Sequence, residues 1–361
     1  MNVAGRLETF CLTDGPTHVL VLRREDIRWL TGFTGGTSQL VVNRDTKEGV
    51  LIVDGRYFSR AQQEVLHSGA SIEVVCTDST HTLLSILSSR HVEVLATHPG
   101  HITAEFARSL NETMALVDEH DHLGELRRVK NAQEIELMQR AAEIADSALL
   151  SVVADGLSGK TEKQVRNRLE YLMREVGADR PGFDTIVATG PHGASAHHEP
   201  TDAVIEGGHG VVIDMGAEVE GYRSDMTRTV LVGNVSTQYR QMWDLVHEAQ
   251  ASAVQTVRDG VVGSEVDAAA RAVFARAGLE HEFIHGTGHG IGLYIHEMPI
   301  LSPRCTAVLR TDEVVTVEPG LYRGGVGGVR IEDQVVVTDT NCRILTLSPK
   351  ELSCPQSPQM I

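Results

Sequence analysis

Short apolar runs separated by polar and glycine-containing stretches fill the first third of the chain. Residues 17–22, 38–42, 49–53, 71–76 and 92–96 have the length and β-branched content of strands, while 24–30, 56–66 and 82–88 have helical spacing. Residues 1–122 are therefore predicted to form an alternating α/β unit. The periodicity lapses at Asp118-Glu119-His120-Asp121-His122, a charged stretch that reads as a solvated linker. The clustering of His120 and His122 with acids also has the makings of a metal tract. A long helix is predicted to begin at Asn131, with Glu134 completing a capping box. Ile135, Met138, Ala142, Ala145, Leu149 and Val152 then recur at three- and four-residue steps, one apolar stripe for packing on a sheet. Further helices are predicted over 161–176, 237–257 and 264–277, the last closed by Gly278. Strands are predicted over 210–215, 227–232, 313–317 and 329–337, which makes 123–361 an α+β domain.

A chain of 361 residues can hold two such cores on surface-to-volume grounds. Its formal net charge of -17 argues against nucleic acid or an anionic membrane surface as the main partner. The five cysteines, Cys11, Cys76, Cys305, Cys342 and Cys354, are odd in number, scattered and without a CxxC. Neither a disulfide framework nor a thiolate zinc site is indicated. Met1–Thr13 lacks a signal-peptide pattern and no apolar run reaches membrane-spanning length, so a cytoplasmic location is expected.

The candidate chemistry lies on the strands of the second half. Val211-Val212-Ile213-Asp214 ends one apolar run, and Asp225 opens the next after a polar tip. A hairpin centred near Val219–Glu220 sets Asp214 and Asp225 opposite each other on one face, with Cβ atoms roughly 5 Å apart. Two carboxylates that close, among apolar strands, need a cation or a shared proton. The bland alternative is a pair of strand-end acids facing water. The device repeats: Glu318 ends a strand, a tip containing Gly324, Gly325, Gly327 and Gly328 follows, and Glu332 opens the return on one face with Arg330. His285, His289 and His296 lie among four glycines, which would let a short loop bend and aim imidazoles into a cavity. Four carboxylates and one neutral imidazole would suit two divalent cations, with manganese, cobalt, iron or zinc favoured by the oxygen-rich set. Two such ions can activate a water and polarise a carbonyl, which is amide hydrolysis chemistry.

In these residues the chain resembles the creatinase/aminopeptidase P/prolidase family of pita-bread metallopeptidases. The resemblance runs nearly end to end and is most specific between Phe183 and Val337. It is carried by Phe183-Asp184-Thr185-Ile186-Val187-Ala188, by Ala196-His197-His198-Glu199-Pro200-Thr201, by both acid hairpins and by the His-Gly stretch. Leu30-Thr31-Gly32-Phe33-Thr34-Gly35 and Asp54-Gly55-Arg56-Tyr57 resemble the family's accessory domain. The implied fold is a C-terminal pita-bread catalytic domain with an N-terminal α/β creatinase-like domain.

By position, the resemblance implies that Asp214 chelates one metal and Asp225 bridges two. His289 and Glu318 would bind the second metal, Glu332 would be the other bridge, and Glu318 would also accept the proton of the attacking water. His197 and His296 would contact substrate and stabilise the developing oxyanion, His285 would line the pocket, and Arg330 would orient the ligands from behind. The implied cofactor is two divalent metal ions, manganese first. The implied substrate is a peptide with proline at its second position, cleaved before that proline by a homodimer. The details lean toward aminopeptidase P over prolidase. Two departures from the family pattern, Ala196 where proline is frequent and the bulky Tyr294, bear on substrate preference. The rival readings are a relative without metal, acting as a non-peptidase C–N hydrolase or a binding protein, and a methionine aminopeptidase, which shares the centre but not the accessory domain.

Overall fold

The structure is a computed structural model that describes residues 2–77 and 81–354. The chain divides into two compact units, Met1–Arg127 and Arg128–Ile361. The first unit runs α1 (Val3–Cys11), β1 (His18–Val21), α2 (Arg24–Thr31), β2 (Ser38–Asn43), β3 (Glu48–Asp54), α3 (Phe58–Ser68), β4 (Ile72–Thr77), α4 (His81–Ser89), β5 (Val94–Thr97), α5 (Ala104–Asn111), β6 (Ala115–Asp118) and α6 (His122–Arg128). Among the described residues its strands form one mixed sheet, β4-β3-β2-β1-β5-β6, antiparallel at β3-β2-β1 and parallel elsewhere. The stretch expected as a solvated linker is built into this unit. Asp118 ends β6, Glu119 is buried against Arg44, and His122 opens α6, so the change of unit falls at Arg127/Arg128.

The second unit begins with α7 (Ala132–Ala154), whose Asn131 and Glu134 form the expected reciprocal capping box, and α8 (Glu162–Glu175). There follow β7 (Arg180–Pro181), β8 (Ile186–Thr189), β9 (His209–Met215), β10 (Ala217–Val219), β11 (Tyr222–Arg223) and β12 (Met226–Val232). Then come α9 (Thr237–Thr256), α10 (Gly263–Arg276), β13 (Gly288–Gly290), β14 (Glu297–Leu301), β15 (Val314–Val317), β16 (Gly320–Arg323), β17 (Gly327–Arg330), β18 (Asp333–Val337), β19 (Cys342–Ile344) and β20 (Leu352–Cys354). Two sheets organise the unit, β20-β12-β9-β8 and β14-β13-β15-β18-β19. The apolar stripe of α7, with Val165, Leu169 and Met173 of α8, packs on Val211, Ile213, Met226 and Val230 of the first sheet. Met242, Val246 and Ala249 of α9 and Val266, Ala270 and Phe274 of α10 pack on Val315, Val317, Val335 and Val337 of the second. Each sheet thus buries one face under two helices and leaves its other face for the chemistry. Among the described residues no helix is long and apolar enough to cross a membrane.

Two local expectations give way. The first acid hairpin turns at Glu220-Gly221, both at positive φ (46° and 77°), which suits a tight two-residue turn matched to strand twist. Val219 therefore pairs with Tyr222, and Thr227, not Asp225, stands opposite Asp214. Asp225 keeps the same face as Asp214 but is its diagonal neighbour, a relation that places Cβ atoms about 7–8 Å apart rather than 5 Å. The expected strand 329–337 is two strands, interrupted at Ile331-Glu332. At the interruption the Glu332 amide leaves its own sheet and donates to the Thr227 carbonyl (3.1 Å), tying the two sheets together.

Candidate metal centre

The site is assembled where the two sheets meet. Asp214 and Asp225 come from the first sheet's hairpin, and His289, Glu318 and Glu332 from β13 and the ends of the second acid hairpin. The register of that second hairpin is continuous: Val317 faces Asp333 and Gly320 faces Arg330, which sets Glu318 opposite Glu332 as the symmetric spacing predicts. His289 lies on a strand, not on the bent loop expected. Its glycine neighbours serve close approach: a Cβ on Gly288 would stand 2.0 Å from the Thr316 carbonyl oxygen, and one on Gly290 2.2 Å from that of Met298.

All nine residues singled out from the sequence line one cavity of about 420 Å³: His197, Asp214, Asp225, His285, His289, His296, Glu318, Arg330 and Glu332. Phe183, Ile186, Ile295 and Ile300 add apolar wall. His289 Nε2 lies 3.6 Å from Asp225 Oδ2 and 3.4 Å from Glu318 Oε1. Its Nδ1 is 2.9 Å from the Gly290 carbonyl, which can only accept, so Nδ1 carries the proton and the Nε2 lone pair faces the carboxylates. Burial holds this imidazole neutral, its pKa brought down to about 4. Asp225, His289 and Glu332 each present one ligand atom within a 4.8 Å span.

The carboxylates bear the marks of a missing counter-charge. Burial first, then the neighbouring acids, push the Asp225 and Glu332 carboxyls well above the ordinary range. Glu318 is raised as well, by burial, against the pull of Arg330. Asp214 Oδ1 and Glu332 Oε1 are buried without a hydrogen-bond partner. Orphaned carboxylate oxygens beside an imidazole lone pair suit divalent cations, and the residues fit such a centre.

Behind the ligands runs a network of which sequence reasoning found only Arg330. That guanidinium donates from Nη2 to Asp214 Oδ2 (2.6 Å), from Nη1 to the Tyr322 hydroxyl (2.9 Å) and the Ala196 carbonyl (3.3 Å), and from Nε to Thr227 Oγ1 (3.0 Å). Thr227 Oγ1 in turn donates to Glu332 Oε2 (2.8 Å). Tyr322 lies 2.8 Å from His285 Nε2, whose ring gives its Nδ1 proton to the Gly286 carbonyl, so the tyrosine O–H donates to it. Thr227 and Tyr322 were missed. The available signal was their phase: Thr227 faces Asp214, and Tyr322 is in step with Glu318 along the hairpin. His296 sits edge-on to His289, ring centres 4.6 Å apart, with its pKa lowered by burial. His198 does not line the cavity; it turns away to Glu162.

A carboxylate-rich cavity with one committed imidazole, at the seam of two sheets, defines a metal-dependent hydrolase. The description "Metallopeptidase family M24" matches residues 136–339, and "Creatinase/Prolidase N-terminal domain" matches 6–129. A Xaa-Pro dipeptidase of Pyrococcus furiosus is 35% identical over 308 residues, 84% of this chain and 88% of that protein. A solved Xaa-Pro dipeptidase from Bacillus anthracis superposes with a TM-score of 0.91 at 33% identity, covering 98% of this chain and 99% of that one. A solved X-Pro aminopeptidase from Thermotoga maritima gives 0.89 at 33% identity, covering 98% and 100%. The chain belongs to metallopeptidase family M24, and its architecture is the pita-bread catalytic domain with a creatinase-type N-terminal domain.

Proposed function

We propose that this chain is a two-metal Xaa-Pro aminopeptidase, removing the N-terminal residue from peptides with proline at the second position. The observation that carries the reading is the convergence of all nine residues on one cavity, with two buried carboxylate oxygens still seeking a partner. Asp214, Asp225, His289, Glu318 and Glu332 would hold the ions, with Asp225 and Glu332 shared between them. When bound, such a pair lowers the pKa of water and polarises the scissile carbonyl.

The chain's own residues do the rest. Glu318, raised by burial, is poised to take the proton of the attacking water. His197 and His296 face the cavity, and a neutral imidazole N–H can donate to the carbonyl oxygen as negative charge develops there. An X–Pro bond offers no N–H and a fixed ring, so the enzyme must grip the N-terminal side, where Asp184, a lining acid outside the proposed ligand set, favours a free α-amine.

Aminopeptidase activity is preferred over strict dipeptidase activity because of the cavity's cations. Among the described residues that line it, the only arginine is Arg330, and its guanidinium is spent on Asp214, Tyr322, Thr227 and Ala196. No other lysine or arginine is present there to capture the free carboxylate of a dipeptide's proline. A longer peptide has a neutral amide at that point. The dipeptidase reading rests on relatives such as the Pyrococcus protein. Manganese as the resident pair, a homodimer and a cytoplasmic site of action belong to the same proposal.

The test is hydrolysis of Gly-Pro beside Gly-Pro-Gly-Gly, in EDTA and again with Mn²⁺ restored. Metal-dependent cleavage of the tetrapeptide is expected. Cleavage of the dipeptide alone makes the enzyme a prolidase, and cleavage of neither with metal bound sinks the proline reading.

A further inference from the structure

Outside the cavity, one group of side chains has metal-ligand chemistry that the peptidase site does not use. Glu162 opens α8 and is fully buried. Its Oε1 lies 2.9 Å from His192 Nδ1 and its Oε2 2.9 Å from His198 Nε2. Three more donors converge on the same carboxylate: the Thr189 amide (2.8 Å), the Thr201 amide (2.9 Å) and the Thr201 hydroxyl (2.7 Å). Burial alone would raise this carboxyl, yet the Thr189 amide, His198 and Thr201 bring it down to about 2. It is therefore a fixed anion, held from behind in the way a ligating carboxylate is held by its outer partners.

The two rings meet at a corner. Their centres are 4.5 Å apart with planes inclined by 33°. A zinc–nitrogen bond of about 2.1 Å puts an imidazole centre about 3.2 Å from the ion, and two such rings at a right angle about 4.5 Å apart. Likewise, an oxygen and a nitrogen each about 2.1 Å from one ion and about 2.9 Å from each other subtend about 90° at it. These spacings are those of hydrogen bonds, and they also lie within reach of one small cation held at right-angled contacts. Nδ1 of His192 and Nε2 of His198 face the carboxylate, and an imidazole can present either ring nitrogen to a metal. The His192 side chain is 40% exposed, which gives an entering ion and its waters a path.

We propose that Glu162, His192 and His198 form a further divalent-cation site of zinc type, separate from the carboxylate centre, with Glu162 bidentate and water completing the shell. None of the three lines the peptidase cavity. The segment they close, from Thr189 to Thr201, is the one from which His197 reaches that cavity. An ion here stiffens the support of a substrate-facing side chain without touching substrate.

The test counts metal and does not depend on peptidase activity. Manganese-loaded protein and a His192→Ala variant are dialysed against zinc chloride, and both metals are measured by mass spectrometry. The wild type is expected to take up one zinc equivalent more than the variant, with equal manganese in the two. Equal zinc uptake overturns the proposal, whether that zinc adds to the manganese or displaces it. If the alanine variant does not fold, His192→Asn serves, since its amide N–H can still donate to Glu162 while the imidazole ligand is gone.

Discussion

Arg330 shows how much of the centre depends on groups that never meet a metal. Its planar fork reaches Asp214, Tyr322 and Thr227 at once, and through the last two it settles His285 and Glu332. Lysine has one point charge where three directed donors are needed. Arg330→Lys is expected to weaken manganese binding by about 10–100-fold, measured by titrating activity against free Mn²⁺. Unchanged affinity would mean the fork merely fills space. Tyr322→Phe removes the donor to His285 and one acceptor of Arg330 in a buried setting, and should cost about 1–3 kcal/mol of stability by urea unfolding. The proposed ligand acids stand out in the sequence because paired acids at strand ends are chemically conspicuous. Tyr322 and Thr227 were not, since a tyrosine and a threonine in strands are ordinary and only the cross-strand register gives them a role.

Among the elements, most helices and the apolar core strands follow from periodicity, because the apolar stripes of α7 and α9 and the valine-rich runs of β9 and β15 all face a core, whereas α1, α5, α6 and short strands such as β13 and β14 were not legible. Register does not follow so directly. It is set by the turn, and placing the turn one residue early, at Val219–Glu220 instead of Glu220-Gly221, shifts the pairing by two and misjudges the acids' separation. The break at Ile331-Glu332 was hidden for a related reason: the partner that draws Glu332 out of its strand is Thr227, far away in sequence. The histidine stretch shows glycine used for want of a side chain rather than for bending. Gly288→Ala would drive a methyl into the Thr316 carbonyl and force β13 from β15. A loss of about 1–3 kcal/mol is expected, with weakened metal binding because His289 moves with its strand. Denaturant unfolding and metal content report the two effects, and a variant as stable as the wild type would show that the strands have slack.

For the whole molecule, the metal-free state is under electrostatic load. Asp225, Glu318 and Glu332 have native pKa values above their unfolded ones, so the folded chain binds more protons than the unfolded chain. Their contribution to stability is greatest at low pH and is lost as pH rises through the raised values. His285 and His289, lowered to about 4, act in the opposite sense but only below their unfolded value, about 6.5. Above about pH 6.5 these histidines no longer offset the carboxylates, so in EDTA the melting temperature should fall as pH rises through about 7, where Glu318 gives up its proton in the folded chain. Manganese, by neutralising the acids, should flatten that drop. A melting temperature that rises with pH in EDTA would contradict the crowding of these acids.

The Glu332–Thr227 bond and the ligand set both straddle the joint between two sheets that fold on separate cores. During synthesis the two aspartates leave the ribosome well before His289, Glu318 and Glu332 exist. A chain truncated before Glu332 consequently lacks the complete carboxylate centre. Assembly of the proposed centre therefore waits on the second sheet, whichever order the two cores condense in.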